Sequence, residues 1–290
     1  MSQTVQDVLA SGTRSFSFEF FPPTTDAGEQ HLRGALGVLE ALNPTFVSVT
    51  YGSGGGTRDR TMGVIRQISS ETSILPVGHL TCVGASAQEL RCVVDQYADA
   101  GVGNILALRG DPPGGPAATW APEPDGLTHA VELVSLILAA GDFCVGVAAF
   151  PDPHPASGSA DVDAQVLLAK QQAGASFAIT QFFFTASRYH DLVQRSSAIG
   201  VTIPIIPGIM PVTNLAQIQR FAALSGTEIP VEIAQQFDGL DEGSVPKLGI
   251  ELASELSAQL LAEGAPGLHF YTLNRSTATR EIYANLGLPR

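Results

Sequence analysis

The chain repeats one beat from end to end: a short run rich in β-branched and aromatic residues, then a longer stretch whose apolar side chains recur at helical spacing. The short runs fall at 15–21, 46–50, 75–81, 104–108, 143–149, 177–183, 203–209 and 268–273, and each reads as a strand. Helical patterning fills 29–42, 58–69, 87–100, 127–140, 162–172, 188–199, 215–224 and 245–263, and 277–286 closes the chain. Ser86 followed by Glu89 fits a capping box, and Gly101, Gly141, Gly174, Gly200 and Gly264 stand where helices should stop. Eight strand–helix units in 290 residues predict a (β/α)8 TIM barrel, an α/β fold of typically about 250 residues. An open doubly wound sheet alternates in the same way, so the count alone does not separate the two. The long interval between Ile209 and Leu268 has room for an extra helix at 231–237. No linker rich in Pro, Gly or Ser divides the chain, so residues 1–290 read as a single domain, and the Pro/Gly-rich stretch 110–124 reads as a mobile loop beside the site.

Charge and cysteine usage narrow the class of protein. Lys and Arg number 15 against 28 Asp and Glu, a net charge of −13, which argues against a nucleic-acid or anionic-membrane partner. No run approaches the roughly 20 apolar residues of a membrane helix, and no charged-then-apolar leader opens the sequence. Cys82, Cys92 and Cys144 are odd in number and lack C-x-x-C spacing, which favours a reducing compartment over structural zinc. The expectation is a cytoplasmic protein. Nothing in the sequence sets its oligomeric state.

Side chains alternate along a strand, and in a parallel barrel the C-terminal strand ends build the site. On the first strand Phe16, Phe18 and Phe20 share one face and Ser17 and Glu19 the other. If the three Phe meet the helix layer, Glu19 points into the barrel near its mouth. A partly buried carboxyl with no cation beside it holds a proton at neutral pH and can act as a general acid. The bland alternative is a polar plug bonded to a neighbouring strand. Other strand ends are polar too: Ser48 and Thr50; His79 and Thr81; Arg109 followed by Gly110 and Asp111; Gln181; and Asn274 with Arg275. Singly, His79 reads as a satisfied core histidine, Arg109 with Asp111 as a loop ion pair, and Gln181 as a buried hydrogen bonder. Together they predict a ligand-binding mouth.

Other chemistries lack their residues. Gly52-Ser53-Gly54-Gly55-Gly56-Thr57 follows a strand but is not G-x-G-x-x-G, and no G-x-x-x-x-G-K-[ST] occurs. Lys170 and Lys247 are the only lysines and lie in helical segments, which disfavours a Schiff-base aldolase. His79 and His154 with Asp111 lack metal-site spacing, no H-E-x-x-H is present, and no metal is expected. There is no G-x-S-x-G elbow. Proton transfer to a bound organic ligand remains.

Several runs resemble methylenetetrahydrofolate reductases. They are Phe18-Glu19-Phe20-Phe21-Pro22-Pro23, Val47-Ser48-Val49-Thr50-Tyr51-Gly52, His79-Leu80-Thr81-Cys82, Ala107-Leu108-Arg109-Gly110-Asp111, Phe150-Pro151-Asp152-Pro153-His154-Pro155, Thr180-Gln181-Phe182-Phe183-Phe184, Ile206-Pro207-Gly208-Ile209-Met210-Pro211 and His269-Phe270-Tyr271-Thr272-Leu273-Asn274-Arg275. They cover nearly the whole chain in order. The resemblance implies a (β/α)8 barrel that reduces 5,10-methylenetetrahydrofolate to 5-methyltetrahydrofolate with NAD(P)H, NADH being favoured, in the short bacterial form without a regulatory domain. By the same resemblance Glu19 is the catalytic acid, Asp111 contacts the pterin, Gln181 is shared by folate and nicotinamide, and Thr50, Gln217, Phe221 and Arg275 line the substrate and nicotinamide space.

The family carries FAD between nicotinamide and folate. The flavin-type positions here are Tyr51, Ser53, His79, Arg109, Gly110, Asp111, Phe150, His154, Asp163 and Lys170. The sequence departs from the family pattern at Phe150, where a tyrosine is usual, and at Val166 and Ala169, which replace an asparagine and an arginine. Alanine cannot make the charge-assisted bonds of arginine to a diphosphate. The departures imply weak or absent FAD and direct hydride transfer from nicotinamide to folate. The alternatives are a conventional FAD-dependent reductase, a non-catalytic folate- or flavin-binding paralogue, and a different barrel oxidoreductase of the proline-oxidising type.

Overall fold

The first and last strands of the chain are neighbours. β1 (Ser15–Phe20) pairs in parallel with β2 (Phe46–Val49) on one side and with β8 (Gly267–Tyr271) on the other. Around the ring stand β3 (Leu75–Thr81), β4 (Asn104–Leu108), β5 (Cys144–Ala149), β6 (Phe177–Phe182) and β7 (Ile205–Ile209), in chain order and all parallel. The sheet is a closed eight-stranded barrel, the expected (β/α)8 fold rather than an open doubly wound sheet. The computed structural model describes residues 3–51, 55–112, 115 and 118–288, without the side chains of 55–59. Ser53 and Gly54 lie outside the described residues, as does part of the 110–124 loop.

Each strand is followed by helix: α2 (Asp26–Glu40), α3 (Gly55–Glu71), α4 (Ala87–Asp99), α5 (Ala130–Ala140), α6 (Ala160–Gln172), α7 (Ala186–Ala198), α8 (Leu215–Ser225), then α10 (Val245–Ala262) and α11 (Thr277–Asn285). The extra helix, α9 (Val231–Gln236), occupies the long interval as expected. Six strands are shorter than their patterns, β1, β2, β5, β6 and β8 by one residue and β7 by two. Pro204 cannot donate to a ladder, and β7 begins after it. After β8, Leu273 and Asn274 turn the chain at φ of 51° and 60°. The Ser86–Glu89 capping box forms. Gly101, Gly174, Gly200 and Gly264 adopt positive φ after their helices, but Gly141 is extended at φ 172° and makes no left-handed stop.

A short helix escaped the sequence reading. α1 (Val5–Ala10) has only six residues, too few to display a period, although Thr4 and Asp7 form its capping box. It covers the N-terminal end of the barrel. Val5 is fully buried against a cluster that includes Phe46, Val77, Leu106, Phe177 and Ile206, and its amide donates to Asn104 Oδ1 at 2.9 Å.

The main core lies between barrel and helices. Phe18 and Phe20 are buried there, and Phe16 packs against the same cluster. Tyr283 of α11 meets Phe16 and Phe18, each with ring centroids 5.7 Å apart. With the three Phe committed outward, alternation turns Ser17 and Glu19 inward. No described helix is long and apolar enough to cross a membrane. The three cysteines are free thiols, and burial pushes that of Cys82 up to about 12.

Candidate active site

Glu19 sits on the inward face of β1, opposite Ser48 of β2 and Tyr271 of β8 in the ladder, and only 7% of its surface is exposed. It is not alone. His79 of β3 and His269 of β8 each bring Nε2 to 3.6 Å from the same carboxyl oxygen, Glu19 Oε2. That separation is too long for a hydrogen bond, and neither Nε2 has another partner among the described residues. Ser48 Oγ and Thr81 Oγ1 are also buried and unpartnered there. The sequence places Glu19 and His79 at the same mouth, and the structure brings His79 and His269 together beside the carboxyl.

The two histidines are held differently, His269 through its ring and His79 through its backbone. Ser17 Oγ lies 2.8 Å from His269 Nδ1, and the His269 ring stacks on Phe46. The Tyr97 hydroxyl of α4 donates to the His79 carbonyl at 2.7 Å, and Gly78 makes room for that ring, since a Cβ there would stand 2.6 Å from it. Burial pulls the His79 imidazole down to about 4, so the ring is neutral at pH 7. The Tyr271 hydroxyl donates to Thr180 O at 2.7 Å, and burial raises its pKa well above the ordinary value.

Seven of the flavin-type positions, those from Arg109 to Lys170, gather on the β4–β5 side, whereas His79 lies on β3 beside Glu19 and Tyr51 after β2. The Arg109 guanidinium lies over the Trp120 ring, 5.1 Å from its centroid, and its Nε donates to Gly110 O at 3.3 Å. His154 meets Phe150 edge-on at 4.7 Å, accepts the Ala156 amide on Nδ1, and donates its own amide to the buried Asp163 carboxylate. Lys170 extends from α6 under the Phe150 ring and donates from Nζ to Ala148 O at 2.8 Å. Burial lowers its ammonium to about 8, with Asp163 opposing the shift and Arg109 adding to it. Burial also lowers His154, which feels Arg109, Lys170 and the exposed Asp111.

The remaining expected residues take distinct places. Gln181 lies where the β6–β7 ladder slips between Ile179 and Phe182, and its Oε1 accepts the Phe182 amide, leaving the NH2 group directed elsewhere. Thr50 follows β2, its carbonyl accepting the Thr61 hydroxyl. Tyr51 is buried in the main core. Gln217 and Phe221 of α8 line a small cavity with Met210 and Leu273, and Arg275 is exposed two residues further along the chain from Leu273. Asn274 clamps β8 to β1 through two bonds to the Phe21 backbone, both 2.8 Å. No group of three His, Cys, Asp or Glu among the described residues could hold a metal ion.

His269, Tyr97 and Trp120 were not singled out from the sequence. Alternation along 267–271 already placed His269 inward with Tyr271, whereas the contacts of Tyr97 and Trp120 cross between elements and leave no local pattern.

Fold and site together define a parallel (β/α)8 barrel with a buried carboxyl between two imidazoles inside it and a basic cluster on one side of its rim. The family model described as methylenetetrahydrofolate reductase matches residues 4–287, and the chain belongs to that family. It is 40% identical over 290 residues to the 5,10-methylenetetrahydrofolate reductase of Escherichia coli (strain K12), covering 99% of this chain and 95% of the relative. It is 41% identical over 281 residues to the protein of the same name from Pectobacterium carotovorum subsp. carotovorum, covering 96% and 91%. A solved structure described as an uncharacterized protein from Clostridium thermocellum that binds two copies of 5-methyl-5,6,7,8-tetrahydrofolic acid has a similar fold. Its TM-score is 0.70 at 14% identity, covering 99% of this chain and 98% of that one.

Proposed function

We propose that this chain reduces 5,10-methylenetetrahydrofolate to 5-methyltetrahydrofolate with hydride from NADH. The observation that carries the reading is the Glu19 carboxyl, buried inside the barrel on the face opposite its own Phe core. Folate bridges two of its nitrogens with the one-carbon unit. Glu19 gives its proton to the nitrogen that leaves, the five-membered ring opens, and the carbon becomes an iminium that accepts hydride. Asp111 contacts the pterin, the free amide NH2 of Gln181 serves folate and nicotinamide in turn, and Thr50, Gln217, Phe221 and Arg275 line the space they share. Family membership at about 40% identity supports this assignment.

The same family generally holds FAD, and the residues present fit a tightly bound flavin poorly. The Lys170 ammonium is buried and already bonded to Ala148 O. The Arg109 guanidinium is covered on one face by Trp120. Val166 stands 41% exposed on α6, with Ala169 nearby, where the family has an asparagine and an arginine. Two missing polar contacts to a diphosphate weaken binding by about 1.5–3 kcal/mol each. Hydride therefore passes from NADH to folate directly.

The test is NADH oxidation by the purified protein with methylenetetrahydrofolate, beside its visible spectrum. Turnover without bound flavin is expected, and a quinone dye should not be reduced. A stoichiometric, tightly held flavin would overturn the direct route and favour the conventional reductase. Folate binding without turnover would favour a non-catalytic paralogue.

A further inference from the structure

The β6–β7 ladder breaks by an exchange of partners. Ala178 donates its amide to Pro204 O, and Ala178 and Ile179 stand opposite Ile205 and Ile206. Continued in that register, the Gly208 amide would reach the Thr180 carbonyl. It donates instead to Thr180 Oγ1, at 2.9 Å. The carbonyl released in this way accepts the Tyr271 hydroxyl at 2.7 Å. β6 then takes three steps, from Ile179 to Phe182, while β7 takes two, from Ile206 to Gly208. The extra residue falls in the stretch that holds Gln181.

Tyr271 belongs to β8, so its side chain passes β7 to reach β6. Gly208 leaves the passage open, since a Cβ there would stand 2.7 Å from the Tyr271 ring. The ring meets His269 edge-on at 5.4 Å and Phe182 edge-on at 6.5 Å. The direction of each bond is fixed by its atoms: a carbonyl cannot donate, and a backbone amide cannot accept. Burial raises the phenol well above its ordinary titration range, so the hydroxyl keeps its hydrogen. Thr180 is fully buried, so water does not replace either bond.

We infer that Tyr271 and Thr180 are positioning residues that fix the peptide unit from which Gln181 springs, and so aim its amide at the ligands. The inference rests on the reading of Gln181 as the amide shared by folate and nicotinamide. The Thr180 carbonyl and the Gln181 nitrogen belong to one planar peptide, so holding the carbonyl sets the direction in which Gln181 leaves the strand. Gln181 Oε1 is taken by the Phe182 amide at 3.0 Å, which ties the side chain to the same irregularity. Without the Tyr271 hydroxyl, the Thr180 carbonyl can turn back to the Gly208 amide, and the ladder relaxes toward its regular register with Gln181 displaced.

The experiment measures kcat, KM for methylenetetrahydrofolate, KM for NADH and the melting temperature of the full chain, of Tyr271→Phe, of Gln181→Ala and of the double variant. Phenylalanine keeps the ring contacts and removes the hydroxyl alone. Tyr271→Phe should raise both KM values about fivefold, the loss of one neutral hydrogen bond, with kcat changed less than about threefold. On the Gln181→Ala background the same substitution should raise neither KM further, because the hydroxyl acts through Gln181. Thr180→Val, which keeps the shape and removes Oγ1, should raise both KM values, and Thr180→Ser, which keeps the oxygen, should restore them. A lower melting temperature with unmoved KM in Tyr271→Phe would reduce the bond to a structural tie and overturn the inference. Equal rises in KM with and without Gln181 would also overturn it, since the hydroxyl would then act on the ligands directly. If Thr180→Val fails to fold, the cycle of Tyr271→Phe with Gln181→Ala decides alone. Unmoved KM in Gln181→Ala defeats the reading of Gln181 itself, whereas raised KM there with unmoved KM in Tyr271→Phe defeats only the positioning role.

Discussion

Lys170 donates from Nζ to the carbonyl of Ala148 at 2.8 Å, which ties the C-terminal half of α6 to the end of β5. A lysine bonded in this way has one of its three N–H donors committed to the fold before any anion arrives. The same helix presents Val166 and Ala169, whose side chains offer no hydrogen bond. Supplying polar side chains there in the double variant Val166→Asn with Ala169→Arg should raise FAD affinity at least tenfold, from contacts of about 1.5–3 kcal/mol each. Fluorescence titration of FAD measures it, and equal affinity in parent and variant would show that these positions do not exclude flavin.

His79 makes stability depend on pH. Its folded pKa, about 4, lies below the ordinary 6.5, so the unfolded chain binds this proton first. Unfolding takes up a proton between those values. The stabilisation is complete above pH 6.5 and is lost as pH falls toward 4, amounting to roughly 3 kcal/mol. Urea unfolding across that range should show the slope, and His79→Gln should flatten it. Identical slopes in the two proteins would mean that His79 is not the group responsible.

Gly208 of β7 has no room for a side chain between β6 and β8. A Cβ at this position would stand 2.4 Å from the Thr180 carbonyl and 2.7 Å from the Tyr271 ring, so neither backbone nor ring could stay in place. Gly208→Ala should destabilise the barrel by about 1–3 kcal/mol or more through overpacking. It should also lower turnover by displacing Tyr271 and the β6 irregularity that carries Gln181. Calorimetry and kcat together check this, and a variant with the parent's melting temperature would contradict it.

At the barrel floor, beside the packing of Val5, one buried bond runs from the Val5 amide to Asn104 Oδ1. Asn104→Ala leaves that amide without its acceptor and should cost about 1–3 kcal/mol. Because the floor is remote from the polar mouth, kcat at low temperature should stay within twofold of the parent. A large loss of kcat with unchanged stability would show that the floor is coupled to the chemistry.

Much of this was legible in the chain because a barrel strand reports its own orientation. Phe16, Phe18 and Phe20 alternate with Ser17 and Glu19, and no arrangement buries three Phe against helices without turning the carboxyl inward. The same alternation marks His269 and Tyr271. What the chain could not display is which side chains from different strands converge. His79 and His269 are far apart in sequence, and only ring closure, with β8 beside β1, brings both to Glu19. The stacking of Trp120 on Arg109 depends on how a loop folds back, and α1 is too short to show a period. Gly141 looked like its fellow helix stops, yet only its φ separates it from them.

Glu19→Gln removes the acid with almost no change in shape. The measurement is single-turnover reduction of methylenetetrahydrofolate by NADH, with folate binding followed in parallel. The predicted result is a rate lower by about 10²–10⁴-fold with folate binding retained. A variant that reduces the substrate as fast as the parent would contradict it.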